Sequence, residues 1–181
     1  AWAELFAPWG FTQADYLRYV DGKPRYDGVR SFLESRGVEL PWGSPDDPPG
    51  DDTICAMGNR KNDTFNAVLE RDGIAPYPDA IALLDLLDEA GVPSAIVSSS
   101  KNARTVLAAA DITGRFVTVV DGTTAVEHHL AGKPDPAMFA HAAATLGVAH
   151  DAAAVLEDAV SGVAAGAAGD VGGDDRGVGR H

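Results

Sequence analysis

The stretch Ser94-Ala95-Ile96-Val97-Ser98-Ser99-Ser100-Lys101-Asn102 decides the fold. Its apolar, β-branched start predicts a buried strand, and its hydroxyl-rich end predicts a loop that opens a helix. Two more short runs of the same kind follow, Phe116-Val117-Thr118-Val119-Val120 and Ala152-Ala153-Ala154-Val155-Leu156. Helix-like sequence fills the intervals. Ile81, Leu83, Leu84, Leu86 and Leu87 supply an apolar helix face before the first run, and Val106 and Leu107 do so before the second. Met138, Phe139 and Leu146 do so before the third, in a helix that Asp135 and Pro136 start. Strand and helix in alternation predict a parallel sheet of βαβ units, an α/β core. Ligands of such sheets gather at the carboxyl ends of the strands, which makes the residue after each run a candidate.

Working outward, the residues ahead of about Asp79 read as helices and turns with no strand. Asp27 to Arg36 is one predicted helix, and Glu39 to Asp52, rich in proline, is a loop. A long helix is predicted from about Thr53 to Asp72, with Ile54, Met57, Phe65, Val68 and Leu69 on one side. Lys61 falls inside that stripe, so it either snorkels out of a core or points into a cleft. Trp2, Leu5 and Phe6 share one face of a helix at the start. From Gly169 to His181 the sequence is mostly Gly, Asp and Arg, and no strand or helix pattern survives.

Composition removes several function classes. Fourteen Lys and Arg against 27 Asp and Glu leave a net charge of −13, a field that repels nucleic acid and anionic lipid. An anionic substrate therefore needs local cations. One cysteine, Cys55, forms no internal disulfide and no thiolate metal cage. No apolar run reaches the length of a membrane span, and the opening AWAELFAPWG lacks the order of a signal peptide, so a cytoplasmic protein with no membrane or nucleic-acid partner is expected. His128-His129 has no third ligand nearby and reads as a solvated loop, and Asn62-Asp63-Thr64 reads as a chance glycosylation sequon. Gly162 and Gly166 read as close helix packing on the sheet.

Three strand ends carry candidate chemistry. Ser98-Ser99-Ser100 can hold an anion at a helix start, or can simply cap that helix. Gly132-Lys133-Pro134-Asp135-Pro136 follows the second strand and lacks the Ser or Thr of a phosphate-binding P-loop. Glu157-Asp158 closes the third strand, and two adjacent acids at a buried strand end are costly unless they bind a cation or pair.

In that order, Ser98, Lys133 and Glu157-Asp158 resemble the second, third and fourth motifs of the haloacid dehalogenase superfamily. The phrases Ser98-Ser99-Ser100-Lys101-Asn102, Gly132-Lys133-Pro134-Asp135-Pro136 and Leu156-Glu157-Asp158-Ala159 are close to its β-phosphoglucomutase-like branch. Tyr19-Val20-Asp21-Gly22-Lys23-Pro24-Arg25 and Arg60-Lys61-Asn62 resemble that branch's helical cap, and the likeness runs from Trp2 to Gly169. The resemblance implies a Rossmann-like parallel-sheet core, residues 1–10 and 77–181, with an α-helical cap over residues 11–76.

It further implies Mg²⁺-dependent phosphotransfer on a hexose phosphate through an aspartyl-phosphate, with β-phosphoglucomutase as the leading reading. A sugar-phosphate phosphatase, on trehalose 6-phosphate or a hexose phosphate, is the alternative within the fold. A catalytically inactive sugar-phosphate-binding module is the alternative from another class. In the family's terms Asp158, and less directly Glu157, would hold Mg²⁺. Lys133 and Ser98 would attend the transferring phosphoryl group. Arg25, with Gly22 in its loop, would take a second phosphate, and Lys61, Ser100, Lys101 and Asn102 would line the substrate side. The superfamily's first motif is an aspartate, a variable residue, a second aspartate and a glycine at the end of a mid-sheet strand. It does not occur here: Asp21-Gly22 and Asp121-Gly122 each lack the earlier aspartate. The resemblance thus implies a core short of its first strand and of part of its C-terminal region, inactive as these 181 residues and an enzyme at full length.

Overall fold

The structure, a computed structural model, describes residues 1–169. The Gly/Asp-rich tail lies outside the described residues from Asp170 onward. The helical part opens with α1 (Trp2–Leu5), a 3-10 turn at Ala7–Trp9 and α2 (Gln13–Asp15), which runs into a π-helical turn at Tyr16–Val20. Thr12 and Asp15 close α2 as a reciprocal capping box. Two longer helices follow, α3 (Arg25–Ser35) and α4 (Ile54–Asp72). Thr53 caps α4 by accepting from the Ala56 amide at 3.0 Å. Leu5, Phe6, Val20, Val29, Phe32, Leu33, Ile54 and Met57 form one buried cluster. Phe6 and Phe32 lie 4.2 Å apart at its centre, so the opening residues pack with α3 and α4. The predicted stripe of α4 is buried only over Ile54–Gly58, and Val68 is exposed.

The second part contains α5 (Pro78–Glu89), β1 (Ala95–Val97), α6 (Ala103–Ala109), β2 (Thr118–Val120), α7 (Gly122–Glu127), α8 (Ala137–Leu146) and α9 (Val160–Ala168). β1 and β2 pair in parallel, with Ala95 opposite Thr118 and Val97 opposite Val120. Alternation sends Ile96 and Val119 toward Ala103 and Leu107 of α6, and Val97 and Val120 toward Met138 and Ala142 of α8. Helices thus cover both faces of the sheet, as a parallel pair requires.

Two expectations are corrected. The third predicted strand, residues 152–156, belongs to no ladder: Ala152 ends a 3-10 turn, and residues 153–158 carry no strand assignment. A strand needs a hydrogen-bonded neighbour, and among the described residues this segment has none, although Ala153 and Val155 still pack on Phe139 and Ala165. Leu156 is left 74% exposed. The apolar face predicted for α5 is covered only in part: among the described residues Ile81, Leu84 and Leu87 are half-buried and none is fully buried. Its attachment is polar, through Arg115, which donates to Asp85 at 2.8 Å and to Asp88 at 2.6 Å. Among the described residues no helix is long and apolar enough to cross a membrane.

Candidate active site

A cavity of about 1040 Å³ opens between the helical part and the carboxyl ends of the strands. Ser98, Lys133, Glu157, Asp158, Arg25, Gly22, Lys61, Ser100, Lys101 and Asn102 all stand on its wall, so the structure brings every predicted site residue to one place.

At the floor lies Lys133, a buried cation. Its Nζ donates to the Val97 carbonyl at the end of β1, at 3.2 Å, and to Glu157 Oε2 at 2.6 Å. Lys133 therefore reaches from β1 to the extended segment 153–158. Glu157 is fixed from its other side by the Ala159 amide, which donates to Oε1 at 3.2 Å. Room for that carboxylate exists because residue 162 is glycine: a Cβ there would stand 2.2 Å from Glu157 Cδ. Asp158 next to it is exposed on the cavity wall.

The loop after β1 is folded by its own hydroxyls. Ser98 Oγ accepts from the Ser100 amide at 3.2 Å, and Ser100 Oγ accepts from the Asn102 amide at 3.1 Å. Ser99 Oγ crosses to the helical part and donates to the Gly22 carbonyl at 2.8 Å. Gly22 has φ +70°, and a Cβ on it would meet Ser161 Oγ at 2.0 Å, so glycine is needed for the turn and for the close approach of α9.

The roof belongs to α3 and α4. Lys61 is held between two aromatic rings, its Nζ 5.0 Å from the Trp2 centroid and 4.7 Å from that of Phe65. Burial, and then the neighbouring Arg25 charge, lower its pKa to about 8. Its place on the cavity wall decides between the two alternatives that spacing left open: it faces the cleft. Arg25 Nη2 donates to Asn62 Oδ1 at 2.9 Å, and Asn102 Nδ2 donates to the same oxygen at 2.6 Å.

Sequence reasoning quoted Asn62 and Ser99 within motifs without giving either a role of its own, and it missed the Trp2–Phe65 pair. Their roles arise from contacts between distant segments, and only the position of Asn62 beside Lys61 offered a signal. Asp121 was weighed for the missing first motif and is instead a buried helix cap, its Oδ1 accepting from the Thr123 and Thr124 amides at 3.0 and 2.9 Å. His128, predicted in a loop, caps the C-terminus of α7, with its ring 4.7 Å from that of His141.

Glu157 and Asp158 are hard oxygen donors of the kind Mg²⁺ takes. Glu157 is engaged by Lys133, however, and among the described residues no group of three His, Cys, Asp or Glu side chains could hold a metal ion. These residues do not complete a cation shell by themselves.

A family model described as haloacid dehalogenase-like hydrolase matches residues 4–170. Over 167 residues the chain is 53% identical to a β-phosphoglucomutase of Mycobacterium bovis, covering 92% of this chain and 63% of that protein. It is 30% identical over 172 residues to hexitol phosphatase A of Escherichia coli, covering 93% and 69%. A crystal structure of β-phosphoglucomutase from Clostridium difficile superposes with a TM-score of 0.79 at 20% identity, over 95% of this chain and 73% of that one, and shares its fold. The chain thus spans just under two thirds of the mycobacterial relative. With the order of Ser98, Lys133 and Glu157-Asp158 around one cavity, the match assigns its membership: the chain belongs to the haloacid dehalogenase-like hydrolase family.

Proposed function

We propose that the full-length protein is a Mg²⁺-dependent phosphotransferase acting on a hexose phosphate through an aspartyl-phosphate, with β-phosphoglucomutase activity. The observation that carries this reading is that cations of the helical part and of the sheet part line one cavity, together with the Glu157-Asp158 pair. Lys133, paired with Glu157, and Lys101, in the loop after β1, line the cavity from the sheet part, and Arg25 and Lys61 line it from α3 and α4. A substrate with phosphate at each end, or with phosphate at one end and a reacting hydroxyl at the other, fits such a field. The 53% identity to a β-phosphoglucomutase supports the same substrate class.

The roles follow from charge and reach. Phosphoryl transfer spreads negative charge over the phosphoryl oxygens, and fixed cations and donors in a closed cleft stabilise it. In this reading the Lys133 ammonium neutralises the phosphoryl oxygens while Glu157 holds it in place. Ser98 Oγ, whose acceptor side already serves the Ser100 amide, keeps its proton free to donate. Arg25 and Asn102 take the distal phosphate, with Lys61 and Lys101 beside it. Residues 11–76 act as a cap that closes over the substrate and excludes water. Mg²⁺, when bound, would supply charge neutralisation, with Asp158 as one ligand. The nucleophilic aspartate and the remaining ligands would come from sequence outside these 181 residues.

Hydrolysis is the second reading, favoured by the similarity to hexitol phosphatase A. Incubating the full-length protein with β-glucose 1-phosphate, Mg²⁺ and a trace of the bisphosphate separates the two. Glucose 6-phosphate is the expected product. Free phosphate without glucose 6-phosphate excludes the mutase, and binding without turnover leaves the inactive module.

A further inference from the structure

We infer that Asn62 is a positioning residue whose side-chain oxygen holds the place of a phosphate oxygen between Arg25 and Asn102 until the substrate arrives. The inference rests on the reading of this cavity as a sugar-phosphate site and adds to it a role for a residue that the cap motif contains but to which the sequence assigned none. Three segments meet at one atom. Arg25 opens α3, Asn62 lies in the third turn of α4, and Asn102 ends the loop after β1. Asn62 Oδ1 accepts from Arg25 Nη2 at 2.9 Å and from Asn102 Nδ2 at 2.6 Å. A single oxygen that draws a guanidinium and an amide donor together, at the wall of a cavity also lined by Lys61 and Lys101, has the surroundings of an anion's oxygen.

The chemistry favours exchange. A neutral amide oxygen satisfies both donors at modest strength, whereas a phosphate oxygen makes charge-assisted bonds to the same two groups. Donors that already converge pay less ordering entropy when the anion takes over. The contact also ties α4 to the core across the cavity, alongside the Ser99–Gly22 bond. Removing the acceptor on arrival of phosphate therefore changes what joins the two parts: a protein–protein bond is replaced by a bridge through the ligand.

The test is a double-mutant cycle on the full-length protein, with the dissociation constant of glucose 6-phosphate read by calorimetry and Tm of the ligand-free protein as the folding control. Asn62→Asp keeps shape and acceptor but fills the place with a charge that pairs with Arg25. Affinity is expected to fall about tenfold or more with Tm unchanged or raised. In an Arg25→Ala background the same substitution is expected to cost about threefold or less, because the donor it occupies is gone. An equal loss in both backgrounds would mean simple charge repulsion and would overturn the inference, as would unchanged affinity in the first. If Arg25→Ala alone leaves the affinity unchanged, the sugar-phosphate reading fails at this end of the cavity, and the inference with it.

Discussion

Without its ammonium, Lys133 would leave the Glu157 carboxylate facing only the Ala159 amide in a mostly buried place. Breaking such a pair on one side costs about 3 kcal/mol, so Lys133→Met is expected to lower unfolding stability by that order in urea as well as to abolish turnover. Gly162→Ala acts on the same pair from behind, since its new methyl group collides with Glu157; a loss of about 1–3 kcal/mol is expected. Lys61 gives a pH signature. Its folded pKa of about 8 lies below the ordinary 10.5, so between these values the unfolded chain holds a proton that the folded chain has released. Stability contributed by this group therefore rises with pH across that window. Sugar-phosphate affinity is expected to fall as pH rises through about 8, while Lys61→Met, titrated in parallel, shows neither trend. At this scale Lys133 and Glu157 were legible from their order along the chain after apolar runs, and Lys61 from a charge inside an apolar stripe. Asn62 was not, because its importance lies in Arg25 and Asn102, which are distant in sequence.

Among the elements, β1 and β2 were legible because each is a short apolar run covered on both faces. The extended segment 153–158 has a single β-branched residue, Val155, and ends in two acids; it forms no ladder and leaves Leu156 exposed, because a strand needs a hydrogen-bonded neighbour to be covered. Native-state hydrogen exchange on the 181-residue chain is expected to find the amides of Ser98 and Val117, which donate to the Val120 and Ser94 carbonyls at 2.9 Å each, slower than those of residues 154–157. Equal protection would mean that the segment is paired after all. The apolar side of α5 was read correctly as a helix face, but among the described residues it is covered only in part, and Arg115 holds the helix by charge.

For the whole molecule, the net charge of −13 opposes any phosphorylated ligand, and the cavity answers with cations placed where the strands end and where α3 and α4 face them. In the proposed reading, local geometry rather than the overall field captures that ligand. The sequence order of Ser98, Lys133 and Glu157-Asp158 made the fold legible because the end of β1, the Lys133 loop and the extended segment 153–158 meet at one cavity. The central claim is that the cavity's cations, Lys133 on the sheet side and Arg25 on the helical side, hold one sugar phosphate for transfer between its ends. It is tested most directly by ³¹P NMR of the full-length protein with β-glucose 1-phosphate, Mg²⁺ and a trace of the bisphosphate, compared with its Arg25→Ala variant. The account predicts a growing glucose 6-phosphate signal for the wild type and its loss in the variant. A glucose 6-phosphate signal that the variant produces equally fast, or no phosphoryl transfer by the wild type, would contradict it.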